Sequence, residues 1–145
     1  KKSKVFSLDT VSKIRTMMRL VVSHPKGTAN KAETTGYLVG AKTGTAEKIK
    51  NSAYDKNANL VSLVASFPIH SPEYLIFITI DHPKKIKNIP RTTAGHVIAP
   101  IIPNIISQIA PILRVMPIDI KSTKIRQNFN TEIKIQNEGV TFASY

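Results

Sequence analysis

"LVSLVASFPIHSPEYLIFITI" (residues 60–80) holds two nearly unbroken apolar runs, Leu60–Phe67 and Tyr74–Ile80, joined only by "PIHSPE". Short runs rich in aliphatic and aromatic residues between turn-formers read as central strands buried on both faces. A parallel return needs a crossover of about a dozen residues or more, so so short a link makes the pair antiparallel. Upstream, "GYLVG" (residues 36–40) begins extended structure, and "GAKTGTAEK" (residues 40–48) continues it as a third strand. Threonine favours strands and glycine weakens them, so a strand that carries both has a task beyond folding.

Helical patterns flank this sheet. In "SLDTVSKIRTMMRLVV" (residues 7–22), Ser7 or Asp9 can cap a helix whose apolar face is Val11, Ile14, Met18, Val21 and Val22. Met17 and Met18 read as core filler. Pro25 and Gly27 then stop the helix. Between Thr93 and Leu113, Ile101, Ile105, Ile109 and Ile112 recur at helical spacing, and Pro100, Pro103 and Pro111 should kink that helix. "NSAYDKNAN" (residues 51–59) and "DHPKKIKNIPR" (residues 81–91) read as loops. The pattern predicts an α+β fold, an antiparallel sheet with packed helices, over residues 1–113. Residues 114–145 differ in character and read as a tail, in which "TEIKIQNEGVTF" (residues 131–142) suggests a small hairpin.

Composition narrows the partners. A chain of 145 residues with 41% hydrophobic and 21% charged residues suits one folded domain. The net charge of +12 would draw anionic partners, but its lysines are scattered among isoleucines and asparagines. No dense basic block with interleaved aromatics occurs, so no nucleic acid is expected. The absence of cysteine excludes disulfides, thiol catalysis and a cysteine zinc site. His24, His70, His82 and His96 lack metal-ligand spacing, and no metal or cofactor is implied. The apolar segment from Thr93 to Leu113 approaches the length of a membrane span, but its prolines, His96, Asn104 and Gln108 argue against one. "KKSKVFSLDT" has no apolar stretch behind its charges and no initiator methionine. It is no signal peptide, and the chain reads as part of a longer protein.

K-T-G, at residues 42–44, is a signature of serine penicillin-recognising enzymes. Three residues alone are weak, but the order "GYLVGAKTGTAEK", "YDKN", "LVSLVASFP", "YLIFITIDHP" and "TAGHVIAPIIPNIISQI" is far more specific. Over about residues 9–113 the chain resembles the C-terminal part of a class B penicillin-binding protein transpeptidase domain. His82 stands where many relatives carry an acidic residue, and Ala41 where glycine is frequent; neither touches the motif.

That resemblance implies a five-stranded antiparallel sheet between helices. It implies cross-linking of peptidoglycan through an acyl-serine formed on a D-Ala-D-Ala stem peptide, with β-lactams acylating the same serine. It also implies a place at the outer, periplasmic face of the bacterial cytoplasmic membrane, held by an upstream anchor. Lys42 and Thr45 would serve catalysis, Lys42 by its charge near the nucleophile and Thr45 by a backbone N–H in the oxyanion hole. Lys42, Thr43, Gly44 and Thr45 would bind the substrate, which lies along the strand as an added strand, and Tyr54 would line the pocket. Outside that context, the same residues would be an ordinary solvated strand face and a packing tyrosine.

The family's other motifs are missing from these residues. The match to S-x-x-K, "SHPK" (Ser23–Lys26), ends a helix and contains proline, so its lysine cannot lie one turn from the serine. "TAEK" (residues 45–48) has the spacing but lies on a strand, and S-x-N does not occur. The chain alone is therefore expected to be inactive and to take no covalent penicillin. Its uncovered sheet is expected to drive self-association. Two other readings remain: a fragment of a β-lactamase-like enzyme, or a non-catalytic basic module that binds peptidoglycan or anionic polymer.

Overall fold

In the computed structural model, residues 5–50, 53–87, 89 and 92–118 are described. The proposed hairpin of the tail lies outside them. Helix α1 spans Leu8–Ser23, and Ser7 caps it by accepting a hydrogen bond from the Thr10 amide at 3.0 Å. Strands β1 (Gly40–Lys50), β2 (Ala53–Phe67) and β3 (Tyr74–Asp81) form an antiparallel sheet in the order β1-β2-β3. These are three of the five strands that the resemblance implies.

The apolar segment after the sheet folds as α2 (Ala94–Val97), a 3-10 turn (Ala99–Ile101) and α3 (Ile102–Ile112). Pro100 falls in the 3-10 turn and Pro103 in the first turn of α3, where a missing N–H costs nothing. The predicted helix is thus present but broken around Pro100, whereas Pro111 is carried inside α3 near its end. By length and composition Ala94–Ile112 could cross a membrane. Instead its Ala94, Ile98, Ile102, Ile106 and Ala110 are fully buried against Val61, Leu63, Ala65 and Phe67 of β2.

Four expectations change in detail. The strand β3 is not buried on both faces: Ile76, Ile78 and Ile80 pack on the core, while Leu75 and Phe77 remain 66% and 65% exposed. Among the described residues β3 is an edge strand whose outer face has no cover. The helix α1 docks through its C-terminal half, so Val11 and Ile14 are 38% and 39% exposed and Met17 also faces solvent. Its buried side chains include Thr16 and Arg19, the latter because its charge is paired. The stretch at residues 51–59 is no loop from Ala53 on, because the ladder continues to Lys50↔Ala53. Residues 56–58 are taken up by a register shift opposite Glu47 and Lys48, which lets polar residues extend the hairpin.

Candidate functional site

Strand β1 borders the sheet, so among the described residues one of its edges is free to receive an extended ligand. Its start is fixed from α1. Arg19 donates to both carboxylate oxygens of Glu33 at 2.8 Å and to the Val39 carbonyl at 2.9 Å, one residue before the strand. A planar guanidinium suits this three-way contact, and its neutralisation explains why the side chain is buried. Gly40 allows α1 and the β2–β3 turn to close on the strand, since a Cβ there would meet Ile69 at 2.6 Å and Met18 at 3.2 Å.

Lys42, Thr43, Gly44 and Thr45 follow consecutively, opposite Val64, Leu63, Ser62 and Val61 of β2. Strand alternation puts Thr43 and Thr45 on the core side and Lys42 and Gly44 on the outer side. The lysine and the threonines therefore do not share one face. Lys42 is exposed, and its ammonium folds back to donate to the Thr43 carbonyl at 2.6 Å. This holds the ammonium against the strand backbone at Thr43 while it stays open to solvent. Thr43 and Thr45 are half-buried.

Gly44 has an additional reason within the sheet. A Cβ at Gly44 would stand 2.6 Å from the Ser62 hydroxyl, so the cross-strand neighbour fills the space a side chain would need. Tyr54 is not beside the motif along the ladder: its backbone pairs with Ile49, about 13 Å of strand from Thr45.

Contacts that the local sequence did not announce surround this edge. The Thr28 and Thr43 hydroxyls share a hydrogen bond at 2.9 Å. Beyond the motif, Lys48 reaches both carboxylate oxygens of Asp81 at 2.8 Å, tying β1 to the end of β3. The Lys48 ammonium, first through its hydrogen bond, holds the Asp81 carboxyl below its ordinary pKa. The serine-lysine match fails on geometry. Ser23 is the last residue of α1, and the chain is extended at His24 before Lys26, whose amide donates to His24 Nδ1. Among the described residues no group of acidic or histidine side chains could hold a metal.

Comparisons with known proteins bear on the family and the fold. The family model for the Penicillin binding protein transpeptidase domain matches residues 1–107. Stage V sporulation protein D of Bacillus subtilis is 36% identical over 116 residues, which are 80% of this chain and 17% of that protein. A peptidoglycan D,D-transpeptidase FtsI homolog of Chlorokybus atmophyticus is 33% identical over 115 residues, 79% of this chain and 16% of its own length. This chain thus spans about a sixth of the curated relatives it matches. Among solved structures, the transpeptidase domain of Burkholderia pseudomallei penicillin-binding protein 3 superposes with a TM-score of 0.69 at 32% identity. That match covers 81% of this chain and 34% of the other. A mycobacterial penicillin-binding protein 3 complexed with ampicillin shares the fold, with a TM-score of 0.61 at 23% identity over 75% of this chain and 25% of the other. With the hairpin, its motif, α1, α2 and the first half of α3 inside the matched residues, the chain belongs to the penicillin-binding protein transpeptidase family.

Proposed function

We propose that this chain supplies the substrate-binding wall of a peptidoglycan D,D-transpeptidase, which cross-links stem peptides ending in D-Ala-D-Ala and is acylated by β-lactams. One observation carries the reading: Lys42, Thr43, Gly44 and Thr45 stand in order on a strand with a free edge, inside a family-matched sheet. An extended peptide pairs with that edge, the Lys42 ammonium and the Thr43 and Thr45 hydroxyls take its terminal carboxylate, and the Thr45 amide serves the oxyanion hole. Tyr54, whose backbone pairs with Ile49, would meet only a ligand that extends about 13 Å along the strand beyond Thr45. The reaction takes place outside the cytoplasmic membrane, with the protein held by an anchor upstream. The serine nucleophile comes from outside these residues.

The test is a titration of the 145-residue chain with an N-acylated D-Ala-D-Ala peptide, followed by NMR. Binding should perturb the β1 amides, and Lys42→Ala should weaken it by about 1–2 kcal/mol, roughly five- to thirtyfold in Kd. Labelled penicillin should leave no covalent adduct on this chain. Binding of anionic polymer that salt abolishes, with no effect of Lys42→Ala and no response to the peptide, would replace the reading with a basic binding module.

A further inference from the structure

The loop between α1 and β1 is gripped from two sides. Gly27 is buried against α1, where a Cβ would meet the Val21 carbonyl oxygen at 2.2 Å, and the Ala29 amide donates to that same oxygen at 3.1 Å. On the other side a Cβ at Gly95 of α2 would meet the Thr28 carbonyl oxygen at 2.2 Å. Two close approaches, each needing glycine, thus fix the backbone around residue 28 between two helices. From this fixed base the Thr28 side chain reaches Thr43 on β1 and shares the 2.9 Å hydrogen bond between hydroxyls.

We propose that Thr28 is a positioning residue for the Thr43 hydroxyl, an inference that rests on the transpeptidase reading. The hydrogen-bond chemistry gives it a direction. A carboxylate only accepts, so Thr43 must donate its one proton to the substrate carboxylate. Its link to Thr28 must then run the other way, with Thr28 donating and Thr43 accepting. A donor behind a hydroxyl polarises it and strengthens the bond it makes in front. The same contact selects one of the few side-chain rotamers open to a β-branched residue. Thr28 touches no substrate in this arrangement and acts through Thr43.

The test uses the labelled 145-residue chain with Thr28→Val, which keeps the shape and removes the donor, and Thr28→Ser, which keeps the donor. Three-bond couplings across Thr43 χ1, without ligand, should report one rotamer in the wild type and in Thr28→Ser and averaging in Thr28→Val. Thr28→Ala provides the same reading should the valine variant fold poorly. The Kd for the N-acylated D-Ala-D-Ala peptide should rise about three- to tenfold in Thr28→Val and return in Thr28→Ser, the size of one net hydrogen bond. A locked Thr43 with unchanged affinity in both donor-less variants overturns the proposal. Couplings that behave as expected in a wild type that binds no peptide support the Thr28–Thr43 link and sink the transpeptidase reading instead.

Discussion

At Gly44 the cross-strand partner already fills the few ångströms that a side chain would need. Replacing Gly44 by Ala forces the Ser62 hydroxyl, 2.6 Å from the new Cβ, to rotate away. Gly44→Ala combined with Ser62→Ala should recover about 0.5–1 kcal/mol relative to the sum of the single changes, measured as a double-mutant cycle in urea. Additive effects would show that the serine is not the constraint. Arg19 gives the larger residue-scale effect. Glu33→Gln leaves a buried guanidinium with weaker partners, and because Glu33 is itself partly exposed the loss should be about 1–3 kcal/mol. The exposed Asp9–Lys13 pair on the same helix provides the contrast, and Asp9→Asn should cost no more than about 0.5 kcal/mol. Equal losses at both places would mean that burial does not govern the Arg19 pair.

Among the elements, the β2–β3 turn shows how a helix clamps a hairpin. Arg15 donates to the carbonyls of Ile69 and His70, and the His70 ring sits half-buried beneath it. Burial first, then the Arg15 charge, lowers the His70 pKa below 6.5, while Glu73 pulls it up. A lowered folded-state value means that the unfolded chain binds the proton more readily. Stability should therefore be full above about pH 6.5 and fall as the pH drops through that value toward the folded pKa. Urea midpoints at pH 7.5 and 5.5 should show this slope in the wild type and a flatter one in His70→Asn.

The same elements show what was legible in the sequence. Aliphatic runs and a short connection gave away β2, β3 and their antiparallel pairing, and K-T-G-T singled out β1 as the strand proposed to bind substrate. The extension of β2 through Asp55, Asn57 and Asn59 was hidden, because Asp and Asn disfavour strands until pairing with β1 pulls them in. The burial of Arg19 was hidden too. A helical pattern cannot disclose that a charge will find Glu33, fourteen residues on, and the carbonyl before β1. The Thr28–Thr43 contact likewise depends on Gly27 in the loop after α1 and on Gly95 in α2.

For the molecule as a whole, the outer face of β3 is out of balance with its surroundings. Leu75 and Phe77 are exposed on an edge strand, next to Val64 and Ser66 of β2 in the ladder. An uncovered apolar face with a free edge favours association. The isolated chain should be a dimer or larger at micromolar concentration by light scattering, and the Leu75→Lys, Phe77→Lys double variant should be monomeric. A monomeric wild type would refute this.

The broken helix after the sheet bears on a step before folding. On the proposed transpeptidase reading the protein works outside the membrane, and it must first pass, unfolded, through an export channel that diverts long apolar helices sideways into lipid. Ala94–Ile112 is long and apolar enough to be diverted. Pro100 and Pro103 interrupt it, and His96, Asn104 and Gln108 make each of its pieces costly in lipid. Once folded, the same pieces lie against β2 with their apolar side inward. In an export reporter, changing Pro100, Pro103, Asn104 and Gln108 to leucine should convert this segment from a passenger into a stop-transfer anchor. Full release of that variant would mean that the interruptions serve the core alone.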